Sequence, residues 1–206
     1  MTKISVAILA SGRGSNFKAI HEAIVAGRCN AVIKVLITNK PEAPVIGMAK
    51  EYGIPVEIVE RKKFKSREEL DDRIKALLDK YEVGLVVLAG YMLVLKSKNL
   101  LEAYKNRIIN VHPALLPSFP GEDAQKQAFD YGVKISGVTI HLVDESLDAG
   151  PILYQEAVDI SDCRTAEDVS YKLLKIEHTA YAKVIDSFSR GHYVVEGRRA
   201  KFVPHP

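Results

Sequence analysis

Residues 4–16 read ISVAILASGRGSN. Ile4 to Ala10 is a compact apolar run, as in a parallel strand buried on both faces. Ser11-Gly12-Arg13-Gly14-Ser15-Asn16 breaks the run, and Phe17 to Ala26 continues with helical apolar spacing. Strand, glycine turn and helix in that order bring free backbone N–H groups and the positive helix end to one place, where a phosphate can sit. The glycines let the backbone approach the anion, and Ser15 and Asn16 can add side-chain donors. The stretch is not the dinucleotide fingerprint GxGxxG, because Phe17 stands where the third glycine belongs. It is not a Walker loop either, since no Gly-Lys-Ser/Thr follows. A glycine turn before a helix also serves purely structural ends, so on this stretch alone both readings stand.

Outward from it the same alternation repeats. Ala31 to Ile37 reads as a second strand, Pro44 to Tyr52 as a short helix closed by Gly53, and Pro55 to Val59 as a third strand. Ser66 to Lys80 is an amphipathic helix with Ser66 and Glu69 at capping-box spacing. Gly84 to Ala89 is another apolar strand. It runs into Gly90-Tyr91-Met92-Leu93-Val94-Leu95, which suits either a wall for a flat aromatic ligand or additional core. Asn99 to Tyr104 and Ala124 to Tyr131 read as helices on either side of a strand at Arg107 to Val111. Gly137 to Val143 and Ile152 to Asp159 are strands, Thr165 to Phe188 is a long helix, and Tyr193 to Val203 resembles a hairpin across Glu196-Gly197-Arg198. This pattern predicts an α/β fold with a doubly wound, mostly parallel sheet and helices on both faces. No repeat, low-complexity tract or linker divides the chain, so residues 1–206 read as a single domain.

The totals narrow the function classes. A length of 206 residues suits one domain, and 47% hydrophobic with 27% charged residues is ordinary for a soluble globular protein. A net charge of +3 is too small to argue for a nucleic-acid surface, although it helps collect an anionic small molecule. Cys29 and Cys163 lie far apart without metal-ligand spacing and read as free thiols in a reducing compartment. No apolar run reaches the ~18 residues expected of a membrane span. The amino-terminal apolar run is too short for a signal peptide and leads into the glycine turn. The expected location is the cytoplasm.

The chemistry concentrates in RIINVHPALLPSFPG, residues 107–121, together with Asp148. Pro113 and Pro117 end the strand at once. Asn110 and His112 lie two apart and so point to the same side of it, at the carboxyl end where open α/β sheets place ligands. Asn110 can offer an amide donor to a carbonyl oxygen gaining negative charge, and His112 can carry a proton at neutral pH. The pair suits acyl transfer. It also suits a strand end with a capping Asn and a partly buried His. Asp148, before Gly150-Pro151, reads alone as a turn acid, His141 as a structural histidine within its strand, and Glu177 as a solvated helix charge.

Six stretches carry a resemblance: SGRGSN (11–16), SREELD (66–71), LAGYM (88–92), INVHPALLPSFPG (109–121), GVTIHLVDESLDAGP (137–151) and IEH (176–178). Together they resemble the phosphoribosylglycinamide formyltransferases, folate-dependent enzymes of purine synthesis with a Rossmann-like fold, from the first strand to about residue 203. The resemblance implies formyl transfer from 10-formyltetrahydrofolate, as cosubstrate and without a metal, to the glycyl amine of 5-phosphoribosylglycinamide. It implies Asn110, His112 and Asp148 as the catalytic set. Gly14, Ser15 and Asn16 match the phosphate loop, and Glu177 matches the acid that holds the glycyl amine. Met92, Leu93, Val94 and Leu95, with Asp144 to Asp148, match the walls of the folate pocket, to which Asn110 also belongs. Arg67 matches a residue that meets the folate's glutamate tail.

Residues 1–105 would then form a phosphate-binding half, 106–190 a folate and catalytic half, and 191–206 a hairpin. The expected partners are these small molecules, with no nucleic acid and no membrane, and a homodimer is compatible with the reading. Three departures from the family pattern stand out. Leu93 replaces an arginine of many members, Leu174 replaces a basic residue of some, with Lys175 one step away on the helix, and Glu122-Asp123-Ala124 replaces a stretch that often contains histidines. Formyltetrahydrofolate hydrolase and methionyl-tRNA formyltransferase share the fold but carry an additional domain, for which 206 residues leave no room. A hydrolase or another folate-dependent formyltransferase is the alternative. A non-catalytic nucleotide-binding module is a weaker one, because it gives Asn110, His112 and Asp148 nothing to do.

Overall fold

The computed structural model describes residues 2–205. The chain opens with β1 (Ile4–Leu9), α1 (Ser15–Val25), β2 (Ala31–Thr38), α2 (Val45–Glu51) and β3 (Val56–Ile58). It continues through α3 (Arg67–Lys80), β4 (Leu85–Leu88), α4 (Lys98–Ala103), β5 (Ile108–His112), α5 (Ala124–Tyr131) and β6 (Ile135–Leu142). β7 (Ile152–Asp159) and the long α6 (Ala166–Arg190) precede a hairpin of β8 (Gly191–Glu196) and β9 (Arg199–Pro204). Among the described residues the strands form one nine-stranded sheet in the order β3-β2-β1-β4-β5-β6-β7-β9-β8. The stretch from β3 to β5 is parallel throughout. β5, β6 and β7 then pair antiparallel, β7 meets β9 in parallel at one register position, and the hairpin closes the edge. The doubly wound, mostly parallel sheet expected from the sequence is therefore present, extended by an antiparallel flank.

Strand periodicity explains the two layers. Val6 and Ile8 of β1 face one side, with Phe17 and Ile20 of α1, Val45 of α2 and Tyr181 of α6. Ala7 and Leu9 face the other, with Leu70, Ile74 and Leu77 of α3 and Leu100 of α4. A smaller cluster joins Ala128 of α5 and Val138 of β6 to Val169 and Leu173 of α6.

Side-chain oxygens set the helix starts. Ser66 Oγ accepts the Glu69 N–H at 3.1 Å, but Glu69 returns to the Lys65 N–H rather than to Ser66, so the expected capping box is only half made. Thr165 and Asp168 make the reciprocal pair in full at the start of α6. No helix among the described residues is long and apolar enough to cross a membrane.

The order β1-β4, with β2 lying beyond β1, places a topological switch point at the carboxyl ends of β1 and β4. The loops there are clipped together. The Ser11 N–H donates to the Gly90 carbonyl at 3.0 Å and the Ala89 N–H to the Leu9 carbonyl at 2.8 Å. Ser11 Oγ donates to Asn39 Oδ1 at 2.6 Å and accepts the Met92 N–H at 3.0 Å. Beneath them, Tyr181 of α6 is fully buried, and its hydroxyl donates to the Leu88 carbonyl at the end of β4. Tyr181→Phe leaves that carbonyl without its donor in an apolar layer. It should lower stability by about 1–3 kcal/mol, read as a drop in urea midpoint at constant m value.

Candidate active site

Two chambers of one cleft open at this carboxyl edge, of about 610 and 490 Å³. The first lies between the glycine turn, Gly12 to Asn16, and one face of α6 carrying Glu167, Ser170, Tyr171 and Leu174. The second lies among the loop after β4, the end of β5, and the loop after β6. Asn16, Gly90, Gln125 and Glu177 line both, so the chambers meet there.

The turn has no freedom to be other than it is. Gly14 has φ 81°, and a Cβ on it would lie 2.5 Å from Val45 Cγ2. No side chain caps α1 at Gly14, so the first N–H groups of the helix remain available to a ligand, as helix geometry dictates. Asn16, on the first turn, is buried and donates from Nδ2 to Glu177 Oε2 at 2.8 Å, while its Oδ1 has no partner among the described residues. Burial raises the pKa of the Glu177 carboxyl, and the Asn16 amide offsets this only in part.

In the second chamber β5 delivers Asn110 and His112 to one side, as their spacing predicts. His112 Nε2 lies 2.7 Å from the Phe119 carbonyl, which can only accept, so Nε2 carries a hydrogen. The other ring nitrogen, Nδ1, faces Asp148 Oδ2 at 3.5 Å. The same carboxylate oxygen accepts the Gly121 N–H at 2.9 Å. Asp148 adopts a left-handed backbone, φ 48°, which is unfavourable for a side chain with a Cβ.

His141 joins this group from β6. Its Nδ1 donates to its neighbour's carbonyl, Leu142, at 2.9 Å, leaving Nε2 facing Asn110 Nδ2 at 3.5 Å and Asp148 Oδ1 at 3.7 Å. Burial is the largest influence on its pKa and pulls it down, against the opposing pull of Asp148. The neutral ring therefore presents Nε2 as an acceptor, which aims the amino end of the Asn110 amide.

By pattern alone His141 reads as a structural histidine. Its ring is satisfied on one side in just that way, but its other nitrogen belongs to the cluster. The signal available was a polar residue inside an apolar strand. Its partners lie in other segments, which pattern alone does not connect. Gly121, Phe119 and Gln125 were likewise not singled out.

The apolar wall is present and divided. Met92 and Val94 are exposed at the mouth, whereas Leu95 lines the chamber from within the hydrophobic core, and Leu93 lies between them in exposure. Asp144 lines the same chamber, and its Oδ1 accepts the Ser146 N–H at 2.8 Å. Arg67, at the start of α3, is not part of the chamber wall. Its guanidinium donates to the Val94 carbonyl behind the rim. Among the described residues no group of three or more His, Cys, Asp or Glu side chains is placed to hold a metal ion.

The formyl transferase family matches the chain over residues 4–185. The phosphoribosylglycinamide formyltransferase of Bacillus subtilis is 42% identical over 179 residues, 87% of this chain and 91% of that protein. The crystal structure of glycinamide ribonucleotide transformylase 1 from Symbiobacterium toebii superposes with a TM-score of 0.92 at 37% identity, covering 98% of this chain and 94% of that one. A formyltetrahydrofolate deformylase from Pseudomonas syringae pv. tomato superposes with a TM-score of 0.87 at 27% identity, over 98% of this chain but 66% of its own.

The Glu177 environment has a consequence for stability. Because its carboxyl pKa is raised in the folded state, native stability is fully present below the ordinary carboxyl value of 4.5 and is lost as pH rises through the raised one. Glu177→Gln keeps an acceptor for Asn16 and removes the ionisation. Urea unfolding should show the variant more stable than the parent at neutral pH, with the difference closing towards about pH 4. Equal stability at neutral pH would contradict the burial of a carboxylate there.

Proposed function

The chain belongs to the formyl transferase family, and we propose that it transfers the formyl group of 10-formyltetrahydrofolate to the glycyl amine of 5-phosphoribosylglycinamide. One observation carries the reading: an anion-binding turn and a donor-and-acid cluster open into two chambers that meet at Asn16 and Glu177. A phosphorylated acceptor fits the first chamber, with its phosphoryl group at Gly14, Ser15 and Asn16 and its amine at Glu177. The folate fits the second, with its flat ring system against Met92 to Leu95, Asp144 and Leu147, and its formyl group towards Asn110 and Asp148. Arg67, behind the rim, is in reach of a tail leaving the mouth only if it releases the Val94 carbonyl. The hydrolase alternative uses the same cluster with water as nucleophile and leaves the glycine turn and Glu177 unexplained. On this reading the partners are small molecules, encountered in the cytoplasm.

The residues divide the chemistry. The acceptor must attack as a neutral amine, the formyl oxygen gains negative charge, and a proton must pass from the amine to the departing folate nitrogen. Asn110, its amide aimed by His141, offers an N–H to that oxygen. A proton on His112 Nδ1, stabilised by Asp148 Oδ2, offers a second positive contact. Because charge on the oxygen is greater in the transition state than in the bound formyl group, both contacts strengthen as reaction proceeds. Asp148 keeps the imidazolium oriented and gives the shuttled proton an acceptor beside the attacking nitrogen. A folate seated on the apolar wall would displace water from it, which favours transfer over hydrolysis.

The test is formyl transfer from 10-formyl-dideazafolate, followed by absorbance with and without 5-phosphoribosylglycinamide. Turnover should require the ribonucleotide. His112→Ala and Asp148→Asn, assayed below their own unfolding midpoints, should each lose on the order of 100- to 1000-fold in kcat. Turnover without the ribonucleotide would favour the hydrolase, and full activity in either variant would remove the cluster from the mechanism.

A further inference from the structure

The first chamber has an unusual charge balance for a site that receives a phosphate. Its lining carries two carboxylates, Glu167 and Glu177, and a single cationic side chain, Arg13. The facing wall supplies no other cation. Leu174 occupies the middle of the α6 face, and Lys175, one position on, sits over the Tyr171 ring at 4.1 Å and is not part of the lining. Lys172, on the same helix, pairs with Asp162. The amides at the start of α1 contribute partial charge only, too little to offset two acids against a phosphomonoester dianion.

Arg13 is built to supply the rest. It stands between Gly12 and Gly14 on a turn pinned at both ends: the Val45 N–H donates to the Gly12 carbonyl at 3.3 Å, and Gly14 has no room for a Cβ beside Val45. The side chain is exposed, and among the described residues it forms no ion pair. Nothing holds the guanidinium away from an anion at the turn. Asn16 Oδ1, buried and unpartnered in the same chamber, can only accept, and so marks a place for a donor such as an amine or hydroxyl on the molecule whose phosphoryl group Arg13 would hold.

We infer that Arg13 is the residue that selects a phosphorylated acceptor, closing its planar fork on the phosphoryl oxygens while the turn amides hold the other side. The inference rests on the acceptor proposed above. A guanidinium meets two phosphate oxygens with parallel N–H bonds in a fixed plane, whereas a lysine ammonium in the same place acts as a point charge. The contact is remote from the transferred formyl group and is made equally in the ground and transition states. It therefore acts on KM and leaves kcat nearly unchanged.

Steady-state kinetics with 5-phosphoribosylglycinamide and with its unphosphorylated counterpart test this. Arg13→Ala should raise KM for the phosphorylated acceptor about 10- to 100-fold with little change in kcat, and leave kcat/KM for the unphosphorylated one unaltered. Arg13→Lys should recover part of the loss. Leu174→Lys in the Arg13→Ala background, placing a cation on the facing wall, should recover part as well. An unchanged KM in Arg13→Ala, or an equal loss on both acceptors, would overturn the inference while leaving the reaction assignment intact. No turnover of the ribonucleotide by the unaltered protein would overturn both.

Discussion

The Asp148 carboxylate lies 3.5 Å from His112 Nδ1 and 3.7 Å from His141 Nε2, with its side chain only 9% exposed. A carboxylate taken out of water must be compensated by donors or positive charge. Here the compensation comes from the Gly121 amide after β5 and from His112 at the end of β5 once its Nδ1 carries a proton, while the neutral His141 ring of β6 lies alongside without donating. Moving Gly121 or His112 weakens what offsets a buried charge. The carboxyl edge of the sheet is therefore held in register by an electrostatic requirement as much as by strand pairing. The left-handed backbone at Asp148 is the local strain that this placement sustains.

A second buried acid fastens the cleft from the other side. Glu177 on α6 and Asn16 on α1 are 161 positions apart in sequence and meet at 2.8 Å. The bond ties the helix that follows the first strand to the long helix near the end of the chain, across the junction of the two chambers. A hydrophobic pair there would make a more stable protein. A carboxylate at that point is instead available to an amine, which is the usual bargain at sites whose chemistry needs a destabilised group. Met92 and Leu147 at the mouth of the second chamber are exposed apolar surface, which the proposed function would cover with the folate.

Much of this was legible from residue order. Ile4 to Leu9 declares a two-faced buried strand by composition, and Asn110 and His112 declare a shared side by spacing. β7 and α5 fall where alternation and helical spacing put them. What was not legible depended on pairing between distant segments. An apolar run such as GVTIHLV reads the same whether it pairs parallel or antiparallel, so the antiparallel flank could not be foreseen. His141 could not be separated from a structural histidine until Asn110 and Asp148 were brought beside it. Glu177 looked like a solvated helix charge because the helical pattern does not reveal that Asn16 lies opposite. The Ser66 box was half right because Glu69 found the Lys65 amide, a choice of one residue that spacing does not decide.

On the proposed function, acceptor and donor meet between Glu177 and the Asn110–His112–Asp148 cluster. A crystal structure with 5-phosphoribosylglycinamide and a folate analogue that cannot donate a formyl group tests it directly. The phosphoryl group is expected at the Gly12–Asn16 turn, the glycyl amine on Glu177, and the folate's one-carbon position facing Asn110 and Asp148. A ribonucleotide bound with its amine away from Glu177, or a folate whose ring system lies outside the chamber walled by Met92 to Leu95, would contradict it.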